Sequence, residues 1–134
     1  MVRHQALTLA SDLHSVREVE TLLQQLIEEY HISHDKYGDM LISLTEAVTN
    51  AIRHGNRLDK RKYVRISFKV EEGEIRFRIM DEGEGFDFEN LPDPTAPENL
   101  VRCGGRGVFL MKQLSDRMSF KNNGSTVEMC FKTA

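Results

Sequence analysis

The chain has 134 residues, 40% of them hydrophobic and 29% charged, with a net charge of −3. That size and balance predict one globular domain spanning 1–134 with a substantial core, and they argue against nucleic acid as the main partner. No apolar run approaches the ~20 residues of a membrane span. The N-terminus has no signal-peptide segment, and Cys103 and Cys130 fit neither a metal spacing nor a disulfide framework, so a reduced, cytoplasmic protein is expected.

Gln5 to Ala10 alternates as a short strand. Ser15-Val16-Arg17-Glu18 matches a capping box, with Ser15 as the cap and Glu18 three residues on. Behind it Val16, Val19, Leu22, Leu23, Leu26 and Ile27 recur at helical spacing to about Tyr30. His31 and His34 could suggest a metal, yet no Cys or further His completes a set nearby, and none is expected there. A second helix opens between Lys36 and Asp39. Along it Leu41, Leu44, Ala47, Val48, Ala51 and Ile52 share one arc, while Glu46, Asn50 and His54 form a polar ridge outside it. Gly55 follows as a residue suited to the position past a helix end, and His54 sits where a positive charge favours such an end.

Arg57, Lys60, Arg61, Lys62 and Arg65 form a basic run with Tyr63 as its one interleaved aromatic, a pattern of solvated surface or protein-contact patch. Val64, Ile66, Phe68 and Val70 alternate with polar residues, as do Ile75, Phe77 and Ile79, and Glu71-Glu72-Gly73-Glu74 between them predicts a hairpin. Asp81-Glu82-Gly83-Glu84-Gly85 follows. The next segment has no helical or strand period and holds Pro92, Pro94 and Pro97, which marks a functional loop. Gly104-Gly105-Arg106-Gly107 leads into an apolar helix from Val108 to about Leu114. Met118 to Lys121, an Asn122-Asn123-Gly124 turn and Thr126 to Lys132 read as a closing hairpin. The expected architecture is an α+β two-layer sandwich: a mixed, mostly antiparallel sheet with helices covering one face.

Three clusters carry chemistry. A carboxylate one helical turn from a carboxamide, Glu46 and Asn50, suits proton abstraction and oxygen ligation of a hard cation. Asp81 at a strand end can accept a hydrogen bond from an exocyclic amine, and the glycines after it let backbone pass close to a flat ring. Gly104-Gly105-Arg106-Gly107 opens a helix, where free N–H groups and the dipole favour an anion, and Arg106 adds a fixed positive charge. Neither glycine cluster is a Walker A loop or a dinucleotide fingerprint.

The order of these elements resembles the GHKL (Bergerat) ATP-binding superfamily over nearly the whole chain. Within it, Glu46-Ala47-Val48-Thr49-Asn50-Ala51-Ile52-Arg53-His54-Gly55 and Gly105-Arg106-Gly107-Val108-Phe109-Leu110 are similar to the boxes of the anti-sigma factor serine/threonine kinases of the SpoIIAB and RsbW type. The resemblance implies an ATP- and Mg²⁺-dependent protein kinase that binds a sigma factor and phosphorylates a STAS-type anti-anti-sigma protein, working as a homodimer. It casts Glu46 as general base, Asn50 as Mg²⁺ ligand and Asp81 as reader of the adenine amino group, helped through water by Thr126. Gly83 and Gly85 would admit the base. Gly105, Arg106 and Gly107 would line the phosphates, Arg53 would reach them from the helix, and Phe88 to Cys103 would be the lid, with Arg102 or Arg106 facing the terminal phosphate. The other function open at this point is a non-catalytic module in which ATP only sets the shape of a partner surface.

Overall fold

The computed structural model describes residues 3–85 and 105–133. Strands β1 (Arg3–Ala10), β2 (Tyr63–Glu71), β3 (Glu74–Met80), β4 (Arg117–Lys121) and β5 (Thr126–Lys132) form one sheet in the order β1-β2-β3-β5-β4. All four pairings are antiparallel. Helices α1 (Arg17–Tyr30), α2 (Tyr37–Asn50) and α3 (Gly105–Leu114) supply the second layer.

Alternation decides which face they cover. Val64, Ile66, Phe68 and Val70 of β2 are buried. Their register partners Ile79, Phe77 and Ile75 on β3, and Val127, Met129 and Phe131 on β5, continue the same apolar face. Against it pack Val19, Leu23, Leu26 and Ile27 of α1, Met40, Leu44 and Val48 of α2, and Val108 and Met111 of α3. Phe77 lies at the centre, with its ring 6.5 Å from Phe68 and 6.1 Å from Phe131. The two-layer α+β sandwich expected from the sequence is the fold observed.

The β2–β3 hairpin closes through Glu71 opposite Glu74, and Gly73 takes a φ of +77°. That left-handed value is costly for any residue with a Cβ. The Asn122–Gly124 turn is steeper still, with all three residues at positive φ.

Two details differ from the sequence reading. The first helix is not capped by Ser15. The Asp12 carboxylate accepts the His14 N–H at 3.0 Å, a 3-10 turn runs over Leu13–Val16, and the Ser15 N–H already donates to Asp12 O at 2.8 Å. Ser15 therefore sits inside the first turn, where a cap cannot act. The second helix does not run unbroken to Gly55: it ends at Asn50, and Ala51–Gly55 forms a π turn. The proline-containing loop, with the lid assigned to Phe88–Cys103, lies outside the described residues.

The centre of this core should resist truncation poorly. Phe77→Ala is expected to cost about 3–5 kcal/mol. Ile42→Ala, at an exposed position of α2, should stay within about 0.5 kcal/mol of the parent in urea unfolding.

Candidate functional site

The site begins where α2 ends. The π turn is closed by the Asn56 N–H donating to Ala51 O at 2.8 Å, five residues back. Such turns recur at functional sites because they re-aim a helix end without breaking it. Here Gly55 lies directly on Asp81, just past β3: a Cβ at residue 55 would stand 2.3 Å from Asp81 Cγ. Gly83 is equally constrained, since its Cβ would stand 2.1 Å from Gly55 O. Gly55 is therefore more than the residue after a helix, because the Asp81 carboxylate occupies the space a side chain would take.

Asp81 is fixed by its own backbone and by one oxygen. Its N–H donates to Ser125 O at 2.9 Å, and its Oδ1 accepts the Gly83 N–H at 2.8 Å. Oδ2, which faces Gly55, accepts no hydrogen bond from the described residues. Burial pushes this carboxyl above the usual aspartate range, partly opposed by the Gly83 N–H and the Lys62 cation. Desolvation is the dominant cause, and a desolvated acceptor discriminates strongly for a matching donor.

Asn56 holds this corner together, and the sequence reading did not single it out. It is fully buried. Its Nδ2 donates to Ser11 Oγ at 2.8 Å and to Tyr63 O at 3.0 Å, while its Oδ1 accepts the Glu82 N–H at 2.7 Å. Ser11 Oγ in turn donates to Lys62 O at 2.7 Å. One carboxamide thus ties the end of β1, the start of β2 and the residue after Asp81 to the π turn. Only its place after Gly55 could have marked it.

At the other end, α3 starts against α2. Gly107 is buried, and a Cβ there would stand 2.8 Å from Asn50 Nδ2 and 2.9 Å from Glu46 Oε2. The first turn of α3 consequently lies beside the Glu46–Asn50 pair. Between this end and Asp81 runs a cleft of about 690 Å³ including its mouth, floored by Ala47, Ala51, Ile79, Val108, Met111 and Val127. Asn50, His54, Gly55, Asp81, Gly85 and Ser125 supply its polar rim. Gly85, at φ +87°, packs its backbone on the Asn122–Gly124 turn, where a Cβ would stand 2.0 Å from Asn123 O.

The expected residues divide accordingly. Asn50 lines one end of the cleft, with Glu46 and Gly107 packed beside it but outside the lining, and Asp81 and Gly85 line the other, with Gly83 packed on Gly55 and Asp81 behind them. Gly105 and Arg106 open α3, with Arg106 exposed. Arg53 is also exposed and does not line the cleft. Thr126 is buried but does not line the cleft: it stands in register with Lys121 and Met80, and its Oγ1 accepts Asn122 Nδ2 at 3.1 Å. The cleft-lining neighbour is Ser125. His54 lines the cleft, and burial, followed by the neighbouring Arg53 cation, lowers its pKa.

An acceptor stands at one end of an apolar slot, and a helix N-terminus with a carboxylate–carboxamide pair at the other. The family profile of the histidine kinase-like ATPase domain matches residues 9–131. The chain belongs to that family. Among its relatives, the serine-protein kinase RsbW of Bacillus subtilis is 36% identical over a stretch covering 72% of this chain and 65% of that protein. RsbW of Staphylococcus epidermidis is 32% identical, covering 72% of this chain and 66% of that protein. The match thus spans about two thirds of the length of those relatives. Among solved structures, the RsbU and RsbW domains of Rv1364c from Mycobacterium tuberculosis superpose with a TM-score of 0.67 at 18% identity, covering 97% of this chain and 32% of that one. That likeness establishes the shared fold.

For this histidine kinase-like ATPase domain, the Gly55–Asp81 contact makes a direct prediction. Gly55→Ala should displace the carboxylate and weaken ATP binding at least about tenfold, as expected for one lost, desolvated hydrogen bond. Isothermal titration should register that loss while the circular dichroism spectrum stays unchanged.

Proposed function

We propose that this chain is an ATP- and Mg²⁺-dependent protein serine/threonine kinase that acts as an anti-sigma factor and phosphorylates a STAS-type anti-anti-sigma partner. The observation that carries the reading is the approach of Gly107 to both Glu46 and Asn50, which joins a base, a cation ligand and a phosphate-binding helix end. The relatives named as serine-protein kinases support the reaction class. A sigma factor as the bound partner, a homodimer and a cytoplasmic setting belong to the same reading. No helix among the described residues is long and apolar enough to cross a membrane.

Each residue has a role in this scheme. Asp81 Oδ2 accepts the adenine amino group while the apolar floor holds the ring. Gly83 and Gly85 keep that end free of side chains. The N–H groups of Gly105, Arg106 and Gly107 would serve the phosphates, with the Arg106 cation beside them; Arg53, exposed on the π turn and outside the cleft lining, would have to swing in to join them. Ser125, and behind it Thr126, supply hydroxyls on the β5 side. Glu46 takes the proton of the attacking serine or threonine hydroxyl.

Whether the site suits a metal can be judged from its donors. Among the described residues, no group of three His, Cys, Asp or Glu side chains stands ready to hold one. Mg²⁺ does not require such a cage, since it is commonly held by one or two protein oxygens together with substrate phosphates. Asn50 fits that pattern, with Glu46 near enough to add negative charge. When bound, Mg²⁺ neutralises charge on the phosphates, which phosphoryl transfer requires along with positioning and one base.

Glu46→Ala separates catalysis from binding. Phosphate transfer to the partner should fall by about 10²–10⁴-fold. ATP affinity by titration should change less than about threefold, equivalent to under ~0.7 kcal/mol. Undiminished transfer by the variant would remove Glu46 from the reaction.

A further inference from the structure

The helices cover one face of the sheet, and the other face has a composition that the nucleotide site does not use. By strand register, the uncovered face carries Arg65 and Lys69 of β2, Arg76 and Arg78 of β3, Arg117 and Lys121 of β4, and Lys132 of β5. Three carboxylates share it: Glu71, Glu74 and Glu128. Seven cations against three anions leave four uncompensated positive charges on this face, in a chain whose net charge is −3. A solvated sheet face is normally of mixed sign. This one carries its carboxylates interleaved with a clear excess of cations.

The carboxylates present are already committed. Glu128 is buried at the centre of the face and is bridged by Arg78 and by Lys121, the latter at 2.9 Å. Glu74 accepts Arg117 at 2.6 Å, and Glu71 pairs with Lys69 at 2.8 Å. Arg65 is exposed and has no ion-pair partner among the described residues. Beside it, at the start of β2, Tyr63 is 54% exposed. Four arginines and an exposed tyrosine on one flat surface are the residue types that anchor protein interfaces.

We propose that the uncovered face of the sheet is a docking surface for a protein partner presenting a cluster of aspartate and glutamate side chains. Three considerations favour that occupant. A second copy placed by a two-fold axis would bring these same cations face to face, a repulsive arrangement. A nucleic acid is a poorer match, because carboxylates are interleaved among the cations and Tyr63, at the margin, is the one aromatic the strand register puts on this face. Carboxylates of a partner, by contrast, would meet planar guanidinium groups that bind them bidentately. The surface lies on the opposite side of the sheet from the cleft, so a partner seated there leaves the nucleotide site open. The inference goes beyond the kinase reading and does not depend on it.

The test uses the full chain, with a short polyglutamate peptide as the carboxylate probe. Anisotropy titration should show binding that weakens with salt, and amide shifts should localise it to β2, β3 and β5. Arg65→Glu/Lys69→Glu should weaken it at least about tenfold while ATP binding is retained, which reports that the fold is intact. If charge reversal impairs folding, the neutral pair Arg65→Gln/Lys69→Gln should still show a smaller loss in the same direction. The proposal is overturned if the parent does not bind the peptide, or if both variants bind it as well as the parent. It is also overturned if a short DNA duplex binds the same residues more tightly, or if sedimentation shows a dimer that buries these amides and that charge reversal dissociates.

Discussion

The structure turns on a missing side chain. Asp81 keeps its position because residue 55 is glycine: its carboxylate fills the volume that a Cβ at 55 would need, and the same glycine's carbonyl sits where a Cβ at 83 would go. Both contacts are made at the end of the π turn, so the turn, the two glycines and the aspartate pack as one unit. Asn56 locks that unit to β1 and β2 with hydrogen bonds at both ends of its carboxamide. The energetic logic is that a buried acceptor is expensive unless its geometry is fully determined, and every neighbour of Asp81 contributes to determining it.

The antiparallel sheet divides the molecule by alternation. One set of side chains makes the apolar floor on which the helices rest, and the cleft proposed for ATP opens where that floor meets the end of α2 and the start of α3. The other set faces away and collects positive charge. The two sets come from the same strands, so a single register fixes both the site and the charged face. A one-residue slip in β5 would exchange them, which is why so much of the core is tied to that strand.

Much of this was legible in the sequence. The alternation of Val64 to Val70 and of Ile75 to Ile79 gave the hairpin, the helical spacing from Val19 to Ile27 gave α1, and the Glu46–Asn50 ridge pointed to the site. What escaped shares a physical cause. Hydrophobic periodicity runs smoothly through Ala51 and Ile52, so it cannot reveal that the hydrogen bonds behind it change from four residues to five. Asn56 follows a glycine and precedes a basic run, and therefore reads as loop, because its burial depends on Ser11 and Glu82 from distant parts of the chain. Ser125 and Thr126 are adjacent hydroxyl residues, and only the strand register decides that Ser125 lines the cleft. Asp12 displaces Ser15 as the cap because the chain turns immediately on leaving β1, three residues earlier than the capping-box pattern implies.

The central claim is that Asp81, Asn50 and the start of α3 form one nucleotide site joined by a cation. Calorimetric titration with ATP, with and without Mg²⁺, on the parent and on Asn50→Ala addresses it most directly. The account predicts Mg²⁺-dependent binding by the parent that the variant loses. Equal binding by both proteins would contradict the role given to Asn50, and no binding under any condition would contradict the site itself.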